Sequence, residues 1–312
     1  MRHALVTMLV TMLVAPLCAG CADELSPYGR IEGLRLLAVR ASPPDVAPGE
    51  EAVLDALVTA EATYRWSWCP VRFGGPALDQ CPISEADLRA VVADAGGGEV
   101  PPYDLGDEPT ARFHHTLPPE LLEAACEGAG EIRLPGAASP GRCDGRWEIE
   151  IRLVVAAGDA SIAATRRLAL IYDEGAVANR NPRIDGGEIS VRGAPPFLLD
   201  PAAPTTVTRE VEYRLLLDID PSHAEEFERA GADGPETQKE NLVVTWFVEA
   251  GEMEQERTGF IEGVSSFDNL VENHYLTPSR DELERDRARI VFVLRDERGG
   301  VDWLGAELEL VE

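Results

Sequence analysis

The sequence predicts an all-β protein built from two tandem β-sandwiches, and three observations carry that reading. The chain has 312 residues, enough for two domains at roughly 100–200 residues each. Its 28 glycines and 23 prolines favour many turns and short elements over long helices. Both halves repeat one layout: a strand, a Pro/Gly turn, a longer strand, a strand with a central tryptophan, and a closing hairpin.

The elements follow in order. Arg2 and His3 form a short basic start, and residues 4–17 (ALVTMLVTMLVAPL) run apolar. This is the length of a signal-peptide core and too short for a bilayer-spanning helix, which needs about 20 apolar residues. Small residues then lead to Cys21. The stretch Ala19-Gly20-Cys21 resembles the bacterial lipobox, with Cys18 where leucine is usual and Leu17 one place early. The resemblance implies cleavage after Gly20, diacylglycerol on the Cys21 thiol and a fatty acyl group such as palmitate on the new amino terminus. Such an anchor holds a protein stably on a membrane. An ordinary secretory signal cut near Ala22 is the alternative. Ala22 follows the cysteine directly and Asp23 comes second; by analogy with enterobacterial sorting, this points to the outer membrane. Residues 1–20 are thus read as signal peptide and 21–31 as tether.

The first sandwich is expected over residues 32–178. Residues 34–41 read as a strand before the turn Ser42-Pro43-Pro44, and residues 52–60 as the next. Residues 64–68 (YRWSW) alternate with a period of two, which marks a half-buried strand. Residues 147–156 and 162–172 form a hairpin around Gly158-Asp159. Between about 69 and 146 the pattern breaks into an insertion. There Ser84 caps a helix, SEADLRAVVADA, and residues 118–125 form a second short one. Cys69, Cys81, Cys126 and Cys143 all fall in this insertion. Local spacing favours disulfides Cys69–Cys81 and Cys126–Cys143, which an exported compartment permits. A four-cysteine zinc site usually shows close CxxC pairs, which are absent here.

Asn179-Arg180-Asn181-Pro182 reads as the linker to a second sandwich over 179–312. Strands are expected at 183–192, 207–219 (with Val211, Tyr213, Leu215 and Leu217 alternating), 241–250 and 257–261. A last hairpin, 289–295 with 301–311, turns at Arg298-Gly299-Gly300, and residues 281–287 read as a helical turn or two. A tryptophan on the third strand resembles bacterial immunoglobulin-like sandwiches. The segments LLAVRASPPDVAPGE, YRWSWCP, NRNPRI and VTWFVEAGE resemble the two-domain hypothetical lipoproteins of Gram-negative bacteria such as the myxobacteria. That resemblance implies an anchor and a fold, and no activity.

Function is constrained mainly by charge. The formal net charge is -28, and a surface this acidic repels nucleic-acid phosphates and anionic head groups. No nucleic-acid partner is expected, and the membrane is reached only through the lipid. Envelope proteins or glycans are the candidate partners. Asp218, Asp220, Glu225 and Asp233, within a run of acids, are candidate calcium ligands, although their spacing matches no EF-hand and a solvated loop is the default. His114, His115, His223 and His274 read as exposed loop residues. Carboxylate pairs such as Glu148/Glu150 arise readily in so acidic a chain. Gly128-Ala129-Gly130 lacks the third glycine of a nucleotide-binding turn, and no GxSxG, P-loop or HExxH is present. The expected function is therefore a non-catalytic adhesion, scaffold or assembly module. The alternative is a periplasmic enzyme or carbohydrate-binding accessory protein.

Overall fold

A computed structural model describes residues 28–71, 80–127, 145–231 and 234–312. The first half contributes β1 (Leu36–Ser42), β2 (Asp45–Val46), β3 (Glu51–Val58), β4 (Thr63–Cys69), β5 (Asp104–Gly106), β6 (Thr110–His114), β7 (Arg146–Ala157) and β8 (Ala160–Ile171). They form a three-stranded sheet, β1-β3-β6, and a five-stranded sheet, β2-β8-β7-β4-β5. All pairings are antiparallel except β2 with β8. Helices α1 (Glu85–Asp94) and α2 (Pro119–Glu127) lie between β4 and β7.

The second half contributes β9 (Gly186–Ser190), β10 (Phe197–Leu198), β11 (Thr205–Thr208), β12 (Glu212–Asp218), β13 (Glu226–Gly231), β14 (Gly234–Lys239), β15 (Leu242–Val248), β16 (Glu252–Met253), β17 (Arg257–Phe260), the short helix α3 (Asp268–Val271), β18 (Glu272–Leu276), β19 (Arg287–Asp296) and β20 (Val301–Val311). Its sheets run β10-β9-β12-β18-β16 and β11-β20-β19-β15-β17, with β11 parallel to β20. Each half thus has one sheet carrying its first, second and fifth main strands. The opposing sheet carries its third, sixth and seventh, with a short parallel strand beside the last. That order, with a buried tryptophan on the third strand, is the immunoglobulin-like sandwich. The chain is therefore all-β: two tandem immunoglobulin-like sandwiches, the first with a disulfide-linked, partly helical insertion.

Alternating burial explains the cores. In β7, Ile149, Ile151, Leu153 and Val155 are buried and their neighbours are not, because successive side chains face opposite sides of a strand. Trp66 and Trp68 sit two apart and both enter the first core. Trp246 fills the second, edge-on to Phe292 at 5.0 Å, with its indole N–H donated to Thr258 at 2.8 Å.

The structure corrects several expectations. The insertion is two excursions, since β5 and β6 return to the sheets between α1 and α2. The strand expected over 207–219 divides into β11 and β12, which enter opposite sheets. The break falls at Glu210, a non-glycine residue with φ 57°. It is held by the buried Arg209, which donates to the carbonyls of Leu283 (2.9 Å) and Arg285 (2.8 Å). Residues 226–239 of the acidic run form a hairpin. Residues 281–287 hold a turn, and the helical turn lies earlier, at α3.

The two sandwiches share a face. Phe247, Val291 and Val293 point outward from the second sandwich and are buried against Ile31, Leu37 and Ala38, with Leu57 and Trp303 at the margin. Around this apolar strip the guanidinium of Arg40 stacks on Trp303 at 4.2 Å and pairs with Asp302 at 2.7 Å. Arg295 donates to the Leu37 carbonyl (2.6 Å) and Arg289 to that of Thr59 (2.9 Å). Arg166 bridges the carbonyls of Val39 and Gly299, and its desolvation lowers its pKa to about 10.

Candidate functional site

The most elaborated parts of the molecule are the insertion of the first sandwich and the β13–β14 hairpin of the second. The insertion is anchored from the core outward. Trp68 meets Tyr103 and Phe113 edge-on, each at 5.1 Å. The indole N–H groups of Trp68, Trp66 and Trp147 donate to the carbonyls of Pro102 (2.8 Å), Glu108 (3.0 Å) and Pro70 (2.7 Å), fixing the path of the returning chain. Buried aromatic rings with a satisfied polar tip hold loops in this way. Ser84 caps α1 by accepting from the Asp87 amide at 3.1 Å, and Leu88 and Val92 bury the inner face of the helix. The Glu85 carboxylate accepts from the Tyr103 amide (3.0 Å) and from Arg89, which together lower its pKa. Cys69 and Cys81 are bonded, with Cα atoms 5.5 Å apart, within ordinary disulfide geometry. Cys126 is also disulfide-bonded; Cys143, its expected partner, lies outside the described residues.

The hairpin is pinned by charge. Glu240, at the foot of β14, is fully buried, and Arg298 from the β19–β20 turn donates to it. Arg298 also pairs with Glu225 at 2.8 Å and lies 5.1 Å from the Phe227 ring. Burial pushes the Glu240 carboxyl up to about 7, with the Arg298 hydrogen bond acting in the opposite direction. Asp296 accepts from the amides of Arg298 (2.9 Å) and Gly300 (2.6 Å) and from Asn179 (3.2 Å). Its pKa is also raised, chiefly by burial. The Asn179 amide donates to Asp45 at 2.8 Å, and Asp45 pairs with Arg146 at 3.3 Å. A continuous polar path therefore links the foot of the insertion, at the start of β7, to the hairpin.

Three of the four candidate calcium ligands lie in the described residues, each in its own setting. Asp218 ends β12. Asp220 caps a short 3-10 turn through the Ser222 amide at 2.8 Å. Glu225 belongs to the Arg298 cluster, and Asp233 lies outside the described residues. Among the described residues, no group of three or more His, Cys, Asp and Glu side chains is placed to hold a metal ion. Cys21 and Gly128-Ala129-Gly130 also lie outside them. The expectation of exposed histidines fails at His115. It is fully buried, with Nε2 3.2 Å from the Ile171 carbonyl, and burial lowers its pKa. Its neighbour on the strand, His114, faces outward. His274 lies 3.0 Å from Glu212, and Glu148 pairs with Arg167 across the strands at 3.4 Å. Sequence reasoning missed Glu240, Asp296 and Arg298; the only available signal was an Arg-Gly-Gly turn, which reads as a turn and nothing more.

A groove of about 850 Å³ opens at the other end of the second sandwich, lined by Arg30, Glu210, Met253, Glu256, Leu276 and Glu282 among others. Within it Arg30 pairs with Glu282 at 2.9 Å, and Glu256 accepts the Gly29 amide at 3.2 Å.

No family model matches the chain, and no curated protein matches it. Among solved structures it is similar to murine CEACAM1b, at 9% identity and a TM-score of 0.22, covering 88% of this chain and 99% of that one. It is similar to a chimeric titin Z1Z2 tandem at 10% identity and a TM-score of 0.23, covering 90% and 100%. The insect immune protein hemolin is 7% identical with a TM-score of 0.18, covering 93% and 49%. At these scores the fold assignment rests on the strand order of each half of this chain.

Proposed function

We propose that the protein is a membrane-anchored envelope lipoprotein whose two sandwiches act as a non-catalytic binding, adhesion or scaffold module. The anchor is a lipid on Cys21, supported by the apolar run at 4–17 and by Ala19-Gly20-Cys21; the outer membrane is its location. Among the described residues, no helix is long and apolar enough to cross a membrane. The binding reading is carried by one observation: the disulfide-tied insertion and the pinned hairpin, the extra chain of the two sandwiches, stand on feet joined by a continuous polar path. Loops held on a rigid sandwich are where binding surfaces are commonly built. The partner is an envelope protein or glycan. Glu240, whose carboxyl burial pushes up to about 7, is sealed in an ion cluster away from solvent, which argues for a structural role and against general acid catalysis. Two measurements test the proposal. Cys21→Ala should abolish acyl labelling and release the protein from membranes; unchanged membrane partitioning would contradict the anchor. Photo-cross-linkers placed in α1 should capture a specific envelope partner. Hydrolytic turnover lost on mutating one groove residue, with the fold intact, would overturn the non-catalytic reading.

A further inference from the structure

The outer face of the sheet β10-β9-β12-β18-β16 carries a second cleft, distinct from the groove, the insertion and the hairpin. Alternation turns Tyr213, Leu215 and Leu217 of β12 into the core and leaves Glu212, Arg214 and Leu216 outside. The register sets Ser190, Arg214 and His274 side by side across β9, β12 and β18, with Glu188, Leu216 and Glu272 in the next row. The turn joining β9 to β10 forms a wall beside these rows. Its Ala194 amide donates to the Val191 carbonyl at 3.0 Å, with Gly193 at φ 86° between them, and Pro195 and Pro196 stiffen its exit because each ring fixes φ. Sheet and turn enclose a volume of about 670 Å³ lined by Glu188, Arg192, Pro196, Glu212, Leu216 and His274 among others.

The polar groups of this cleft are held in place by one another. Arg214 donates from Nε and Nη2 to the two oxygens of Glu272, at 2.8 and 2.7 Å. This two-point pairing fixes the guanidinium plane and uses two of its five N–H donors. His274 Nδ1 lies 3.0 Å from Glu212. The lining carries two carboxylates, Glu188 and Glu212, two guanidinium groups, Arg192 and Arg214, and the His274 imidazole. In a chain of net charge -28, this patch is balanced. A charged ligand therefore meets little net field in it. What the cleft offers is oriented donors and acceptors beside the apolar sides of Val191, Pro196 and Leu216, the usual make-up of a small-ligand site. A sugar matches that combination: every hydroxyl both donates and accepts, and the C–H face of the ring covers apolar side chains. The row from Ser190 to His274 crosses three strands, or about 10 Å, which suits two linked sugar rings. We propose that this cleft binds a neutral oligosaccharide, with Arg214 and His274 as its central hydrogen-bonding residues. The site depends neither on the lipid anchor nor on the insertion and hairpin, so its failure would leave both of those readings standing.

The test titrates the full chain by calorimetry with cellotetraose, maltotetraose, xylotetraose and chitotetraose, and with hexalysine and hexaglutamate as charged probes. At least one of the neutral sugars should bind with a millimolar or lower Kd. That Kd should hold as NaCl is raised from about 20 to 300 mM, because screening acts on charged partners. Arg214→Lys keeps the charge and loses the planar fork, and it should weaken binding by about tenfold, the worth of a hydrogen bond to a charged group. His274→Ala should weaken it as well and carries the test should Arg214→Lys fail to fold. Arg167→Lys, in the exposed ion pair with Glu148 on the first sandwich, should leave binding unchanged. The proposal is overturned if none of the four sugars binds, if binding survives in folded Arg214→Lys and His274→Ala proteins, or if only the charged peptides bind and salt abolishes it.

Discussion

The two sandwiches have the same strand order and stabilise their added chain by different means. In the first, the additions flank β5 and β6 and are tied by a disulfide, buried indoles and the apolar sides of α1 and α2. In the second, the addition is the β13–β14 hairpin, held by Arg298 between Glu240 and Glu225. Covalent and apolar ties work at any pH, whereas a buried ion cluster depends on protonation and on the fit of its partners. The same framework thus carries a permanent extension on one sandwich and a titratable one on the other, joined by the shared face.

The largest expected effects come from the cores. Trp66→Ala and Trp246→Ala should each cost about 3–5 kcal/mol, and because the sandwiches are coupled, each should lower a common unfolding midpoint. Val291→Asp should cost about 3 kcal/mol by placing an unpaired charge in the shared face, and it should let the halves melt separately. The double variant Cys69→Ala/Cys81→Ala opens a 12-residue separation, worth about 3 kcal/mol in the chain-entropy model. Hydrogen exchange should then rise in α1 and β5 and not in β13 or β14. Increased exchange in the hairpin instead would erase the distinction between the two extensions.

The smallest effect concerns pH, and its sign differs between the halves. Glu240 is raised from its ordinary 4.5 to about 7. Its native form holds the proton more tightly than the unfolded chain does, so the stability linked to that proton is fully present below pH 4.5 and is lost as pH rises through about 7. His115 is lowered from 6.5, so its contribution is present above pH 6.5 and is lost as pH falls below it. Acidification from pH 8 to 5 should therefore tighten the hairpin and loosen the region around β6 in hydrogen exchange. Glu240→Gln should remove the first response, on the order of 1 kcal/mol, and His115→Asn the second. A uniform response across both halves would contradict the assignment.

Much of the fold was legible because burial writes itself as period. YRWSW and the alternation of Tyr213, Leu215 and Leu217 report strands with one face inside. The shared face left a trace as well: VVTWFV in β15 and IVFVL in β19 are apolar at consecutive positions, which requires cover on both sides. The strand β18 was hidden because ENHYL looks polar, although Asn273 and Tyr275 both point inward. The division at Glu210 was hidden because both flanking strands alternate in phase, and only the carbonyls gathered by Arg209 show why the chain turns. The ion pin could not be read at all. Glu225, Glu240 and Arg298 are far apart in sequence and meet only through the topology.

The central claim is that the shared face makes the two sandwiches one cooperative body, and calorimetry of the Cys21→Ala protein tests it most directly. A single transition whose calorimetric and van't Hoff enthalpies agree for the whole body is predicted, with Val291→Asp dividing it in two. Two resolved transitions in the otherwise unmodified protein, each moved by a core substitution in only one sandwich, would contradict the account.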